Sequence, residues 1–126
     1  MRHIEKKNSP EVFQDFILKN SPAVWDDIHK SQLRIYEDIC EVLLKEQNNL
    51  CGYTELPLNN KHIDHYHKRV LYPEKCFCWD NLIMATLDDD FGARYKDKQI
   101  NRKEIYNEIF NPVVDNRKHS VNPVLF

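Results

Sequence analysis

Between Val24 and Leu44, apolar side chains recur at intervals of three and four: Val24, Trp25, Ile28, Leu33, Tyr36, Ile39, Cys40, Leu43 and Leu44. That interval returns a side chain to the same face of an α-helix. The stretch therefore commits the first part of the chain to one or two amphipathic helices ending near Gln47-Asn48-Asn49. Upstream, Ser9-Pro10-Glu11 has the chemistry of a helix start, since Ser can cap and Pro suits the first helical position. Val12, Phe13, Phe16 and Ile17 then share a face until Asn20, and Ser21-Pro22 repeats the start signal. This half reads as a packing scaffold or as a surface that docks a partner.

At Leu50 the pattern changes. Gly52, Pro57 and Asn59-Asn60 mark turns, and Lys61 to His67 is short and β-like. After a loop broken at Pro73, Cys76 to Met84 forms a second apolar, aromatic run. Asp88-Asp89-Asp90 suits a helix N-terminus, where carboxylates meet the positive end of the dipole. Asn101 with Glu104 makes a capping-box pattern, Ile105, Tyr106, Ile109 and Phe110 follow as a buried face, and Asn111-Pro112 stops it. Periodicity alone predicts a mixed α+β domain. No repeat, low-complexity tract or domain linker interrupts it.

A chain of 126 residues, 41% hydrophobic and 30% charged, is ordinary for one globular domain. No apolar run is long enough to span a membrane, and the charged, polar start from Arg2 to Asn8 is unlike a secretory signal, so a cytoplasmic protein is expected. The net charge of −2 is not that of a free-standing nucleic-acid binder. Charge is uneven, however: Arg94, Lys96, Lys98, Arg102 and Lys103 stand against Asp97 alone, a stripe that could follow phosphates or form a solvated helix face. Cys40 sits on the helical stripe as a small core residue, and Cys76-Phe77-Cys78 lacks zinc-knuckle spacing and reads as packed thiols.

The chemistry gathers at Lys61-His62-Ile63-Asp64-His65-Tyr66-His67. A neutral imidazole, here His65, can take a proton from water near physiological pH, and a carboxylate such as Asp64 suits a hard divalent cation. An isolated Asp-His pair is also what an ordinary strand end looks like. His62 and His67 flank the base at alternate positions, where each either contacts phosphate or lies exposed.

Five stretches in order supply more than the pair alone: Leu43-Leu44-Lys45-Glu46-Gln47, Cys51-Gly52-Tyr53-Thr54-Glu55, His62-Ile63-Asp64-His65, Trp79-Asp80-Asn81-Leu82, and Ala85-Thr86-Leu87-Asp88-Asp89. Met1-Arg2-His3-Ile4 and Asn111-Pro112-Val113-Val114-Asp115 flank them. In this order, over about residues 1–115, the chain resembles HNH endonucleases of the ββα-metal type. In particular it resembles the HNH subunit of Septu-type and retron-associated anti-phage defence systems.

The resemblance implies helices over residues 1–49, a ββα-metal core over 50–100, and a C-terminal helix and tail over 101–126. It implies a DNA endonuclease in which His65 is the general base and Asn81 orients the loop that carries it. Asp64 and Asp89, with Asp90 the next choice, would hold one Mg²⁺ or Mn²⁺; the three adjacent carboxylates could instead be a plain helix cap. Lys68 and Arg69 fall where the family has a Pro-Lys pair, so the Pro is missing but the positive charge remains. They are expected to touch the nucleic-acid backbone, with His62, His67, Arg94 and Lys96 as further candidate contacts. An ATPase subunit would be the partner, and no membrane is involved. Two departures stand out, the first being Asp89 where the family places Asn or His near the start of its last helix. The family's four zinc-knuckle cysteines correspond to Cys51, Thr54, Ala85 and Asp88, so the structural zinc is lost, and apolar packing around Leu50, Tyr53, Leu82 and Ala85 is expected in its place. The alternative function is a catalytically degenerate HNH-fold module that docks to the ATPase.

Overall fold

The computed structural model describes residues 3–6, 8–30, 32–58, 60–86, 100, 102–107 and 112–113. Three helices precede an antiparallel pair of strands: α1 (Glu11–Asn20), α2 (Asp26–His29), α3 (Leu33–Glu46), β1 (Lys61–His65) and β2 (Leu82–Thr86). Single 3-10 turns occupy Pro73–Lys75, Trp79–Asn81 and Lys103–Asn107. The architecture is α+β. No described helix is long and apolar enough to cross a membrane.

The apolar stripe resolves into two helices rather than one. Asp27 accepts hydrogen bonds from the Ala23 and Val24 amides at 2.9 and 3.2 Å, which fixes the entry to α2. At the start of α1, Pro10 rather than Ser9 occupies the capping position, and no side chain caps it. Its carbonyl instead accepts from Phe13 and Gln14. The end of α3 is a Schellman turn: the Asn49 amide reaches the Leu44 carbonyl at 2.9 Å and Asn48 reaches Lys45 at 3.4 Å. Both asparagines have positive φ, 54° and 63°, a conformation Asn tolerates better than most side chains. The part of the expected C-terminal helix that is described is the turn Lys103–Asn107; Asn101, Ile109 and Phe110 lie outside the described residues.

The strand register pairs Ile63 with Met84, Asp64 with Ile83 and His65 with Leu82. Successive side chains therefore face opposite sides. On one side Ile63, Leu82 and Met84 pack with Phe13, Phe16, Trp25, Ile28, Ile39, Leu43 and Trp79. On the other, Ile83 and Ala85 pack with Ile4, Cys51, Tyr53, Tyr66 and Ile100. β2 is buried along its whole length, which is why Leu82 to Thr86 reads as an unbroken run rather than an alternation.

Around the positions that match the zinc knuckles, packing is only partly apolar: Leu50 and Thr54 belong to neither cluster, and Asp88 lies outside the described residues. Ala85 and Cys51 are inside the second cluster, joined by Tyr53, whereas Leu82 belongs to the helical side. The Thr86 amide donates to Cys51 Sγ at 3.4 Å. Gln47 adds a polar clamp: its amide donates to the Leu50 and Met84 carbonyls at 2.9 and 2.7 Å, and its Oε1 accepts from the Met84 amide at 2.8 Å. The Gly52 amide donates to the Met84 carbonyl at 3.0 Å, and a Cβ at Gly52 would meet Ile83 Cγ2 at 2.2 Å. Only glycine lets this loop lie so close to β2.

A buried ion pair fastens the N-terminal segment. Lys6 Nζ lies 2.9 Å from Glu46 Oε1, with the two side chains 6% and 1% exposed. Lys6 also donates to the Leu82 carbonyl at 2.9 Å and sits 4.3 Å from the centre of the Trp79 ring, while Trp79 Nε1 donates to Glu46 at 3.2 Å. Burial holds the Lys6 pKa below its usual value, against the opposing pull of Glu46. Because removing one member strands a buried charge, Lys6→Met is expected to cost about 3–5 kcal/mol in urea unfolding, and Lys6→Met with Glu46→Leu to recover more than half of that.

Candidate active site

Asp64 and His65 end β1, neighbours in sequence that face opposite sides of the strand pair. Asp64 is 4% exposed and its Oδ2 accepts a hydrogen bond from the buried hydroxyl of Tyr53. The phenol orients the carboxylate. His65 is 5% exposed on the helical side, with Trp25 edge-on to its ring at 4.6 Å and 90°.

The orientation of His65 has one decisive contact. Its Nε2 lies 2.9 Å from the carbonyl oxygen of Cys76. A carbonyl can only accept, so Nε2 carries the proton and the lone pair of the neutral ring is on Nδ1. An imidazole tethered in this way is held in one orientation and one neutral tautomer.

Cys76 lies in the loop between the strands, and Asn81 holds that loop in place. Asn81 Oδ1 accepts from the His67 amide at 2.7 Å and lies 3.2 Å from His67 Nδ1. Its Nδ2 donates to the carbonyls of His67 and Lys75 at 3.0 and 3.2 Å. Its backbone carbonyl accepts from the Tyr66 amide at 2.9 Å. One buried carboxamide thus ties the residues after His65 to the residue before Cys76. Tyr106 adds a second tie: its hydroxyl accepts from the Lys68 amide at 2.9 Å and donates to the Tyr66 carbonyl at 3.0 Å.

A cleft of about 380 Å³ opens over this arrangement, lined by His62, Asp64, His65, Lys68 and Arg69, together with Trp25, His29 and Tyr36. Five of the residues picked out in the sequence therefore converge. His67 does not line it; its ring packs among Tyr66, Tyr72 and Tyr106 at 4.7 to 4.9 Å. Asp89, Asp90, Arg94 and Lys96 lie outside the described residues. Among the described residues, no group of three or more His, Cys, Asp or Glu side chains is placed to hold a metal ion. Cys76 is buried in the helical core, with its thiol pKa pushed up by burial, whereas Cys78 is exposed rather than packed. Trp79 and Leu82 are core, as expected.

Sequence reasoning missed Tyr53, Tyr106 and the helical wall of Trp25, His29 and Tyr36. Tyr53 and Trp25 were visible only as apolar positions, and nothing in one-dimensional spacing reveals that a phenol meets a carboxylate eleven positions away. In comparisons with protein-family models, curated proteins and solved structures, nothing matches this chain.

Losing the Asn81 amide leaves its buried partners unsatisfied. Asn81→Ala is expected to destabilise the protein by about 2–4 kcal/mol and to raise amide hydrogen exchange selectively at Tyr66 and His67, whereas Asn81→Asp keeps the acceptor and should protect His67 better than alanine does.

Proposed function

We propose that this protein is a metal-dependent endonuclease of the HNH type that hydrolyses phosphodiester bonds in DNA. The observation that carries the reading is the tether of His65 Nε2 to the Cys76 carbonyl, which puts the lone pair of the neutral ring on Nδ1, in a residue that lines the same cleft as Asp64. Two antiparallel strands joined by a loop that Asn81 holds are what the ββ part of a ββα-metal core requires. The helix of that core would begin at the Asp88-Asp89-Asp90 run.

In this reading His65 Nδ1 takes a proton from water as the oxygen attacks phosphorus, and the Cys76 carbonyl stabilises the resulting imidazolium through Nε2–H. Asp64, oriented by Tyr53, supplies a hard oxygen donor of the kind Mg²⁺ or Mn²⁺ prefers. One carboxylate is not a complete site, and Asp89 or Asp90 would complete it. When bound, the cation stabilises charge on the phosphorane and the leaving 3′ oxygen. His62, Lys68 and Arg69 would hold the strand, with Arg94 and Lys96 as further phosphate contacts. The near-neutral net charge suits a nuclease subunit that borrows nucleic-acid affinity from an ATPase partner in anti-phage defence.

The apolar cluster that takes in Cys51 and Ala85, two of the four knuckle positions, favours a second reading, a degenerate module kept for docking to that ATPase. The two part at His65. Purified wild type is expected to nick plasmid in Mn²⁺ and to stop in EDTA, and His65→Ala to lower the rate by about 10²–10⁴-fold with an unchanged circular dichroism spectrum. Equal nicking by both proteins, or none by wild type with its ATPase, would favour the docking module.

A further inference from the structure

The helical wall of the cleft carries a feature that proton transfer does not need. The imidazole of His29 is stacked on the ring of Tyr36, with centroids 4.5 Å apart and planes 25° apart. His29 is exposed, yet lines the same cleft as Asp64 and His65. Tyr36 is half-buried beneath it, and burial pushes its phenol pKa up to about 12, so the supporting ring stays neutral at any physiological pH. Lys68 and Arg69, from the loop after β1, border the same space.

Aromatic faces beside cationic side chains are what single-stranded nucleic acids use: bases stack on the rings and phosphates follow the charge. Bases inside a duplex are already stacked on one another and offer no face to a protein ring. Such a face serves a base that has left the stack. The cleft, at about 380 Å³, is at the small end of ligand sites, which run from about 300 to 1,000 Å³. It suits one nucleotide unit.

We propose that His29, supported by Tyr36, is a stacking platform for an unpaired nucleobase, so that the cleft takes a single-stranded or locally opened segment of DNA beside Asp64 and His65. This rests on the nuclease reading for the role of the neighbouring groups, and it adds a substrate class that the reading does not contain. His29 is then a specificity-determining residue, supplied by the helical half of the chain.

The test uses the full chain in EDTA with two probes: a fluorescein-labelled oligothymidylate containing one 2-aminopurine, and a duplex of the same sequence. Wild type is expected to bind the single strand at least about tenfold more tightly than the duplex and to quench 2-aminopurine on binding. His29→Ala should weaken single-strand binding by about tenfold and abolish the quenching, and His29→Phe should restore both. Equal or tighter duplex binding, no single-strand binding, an unchanged His29→Ala, or failure of His29→Phe to restore the quenching would each overturn the proposal. Plasmid nicking in Mn²⁺ is scored separately. Nicking without single-strand preference removes the platform and leaves the nuclease; stacking without nicking keeps the platform and removes the nuclease.

Discussion

Everything specific about the candidate site depends on one buried carboxamide. Asn81 stands at the mouth of β2, where a long loop returns from β1, and its side chain closes that loop by bonding to His67 on one side and Lys75 on the other. The Cys76 carbonyl that orients His65 follows Lys75 directly. An amide has both a donor and an acceptor in one plane, so it can satisfy an N–H and two carbonyls at once where a carboxylate or a lysine could not. With that loop fixed, the buried imidazole of His65, packed edge-on against Trp25, is held in a single neutral tautomer with its proton on Nε2.

The scaffold that supports this loop has to be rigid. Three independent devices share the task. Apolar clusters cover both faces of the strand pair, Gln47 pairs with Met84 as a short extra strand would, and the Lys6–Glu46–Trp79 network binds the N-terminal segment to the end of α3. Each belongs to a different part of the sequence. Their convergence on β2 explains why that strand is fully buried and why a glycine is needed where the Cys51 loop crosses it.

Helices α1 and α3, strand β1 and the turn residues after α3 were legible in the sequence, because periodicity and turn chemistry are local signals, whereas β2 showed only as the end of an apolar run from Cys76 to Met84. Asp64, His65 and Asn81 were legible through motif order, and the structure brings the first two into one cleft with Lys68 and Arg69. What could not be read were contacts between distant segments. Tyr53 beneath Asp64, Tyr106 beneath the His65 loop and His29 beside the cleft each depend on how helices and loops are set against the strands. The Ser9 cap failed for the opposite reason: a proline one position later, with φ of −56°, already occupied the capping position.

The central claim is that the neutral imidazole of His65 is held in one tautomer, with Nε2 protonated toward the Cys76 carbonyl and the lone pair on Nδ1. The most direct measurement is the pair of imidazole ¹⁵N chemical shifts of His65, assigned by long-range ¹H–¹⁵N correlation against His65→Gln, at a pH where the ring is neutral. The account expects a pyrrole-type shift at Nε2, a pyridine-type shift at Nδ1, and loss of that asymmetry in Asn81→Ala as the loop relaxes. A proton on Nδ1, or fast averaging between the two tautomers in the wild type, would contradict it.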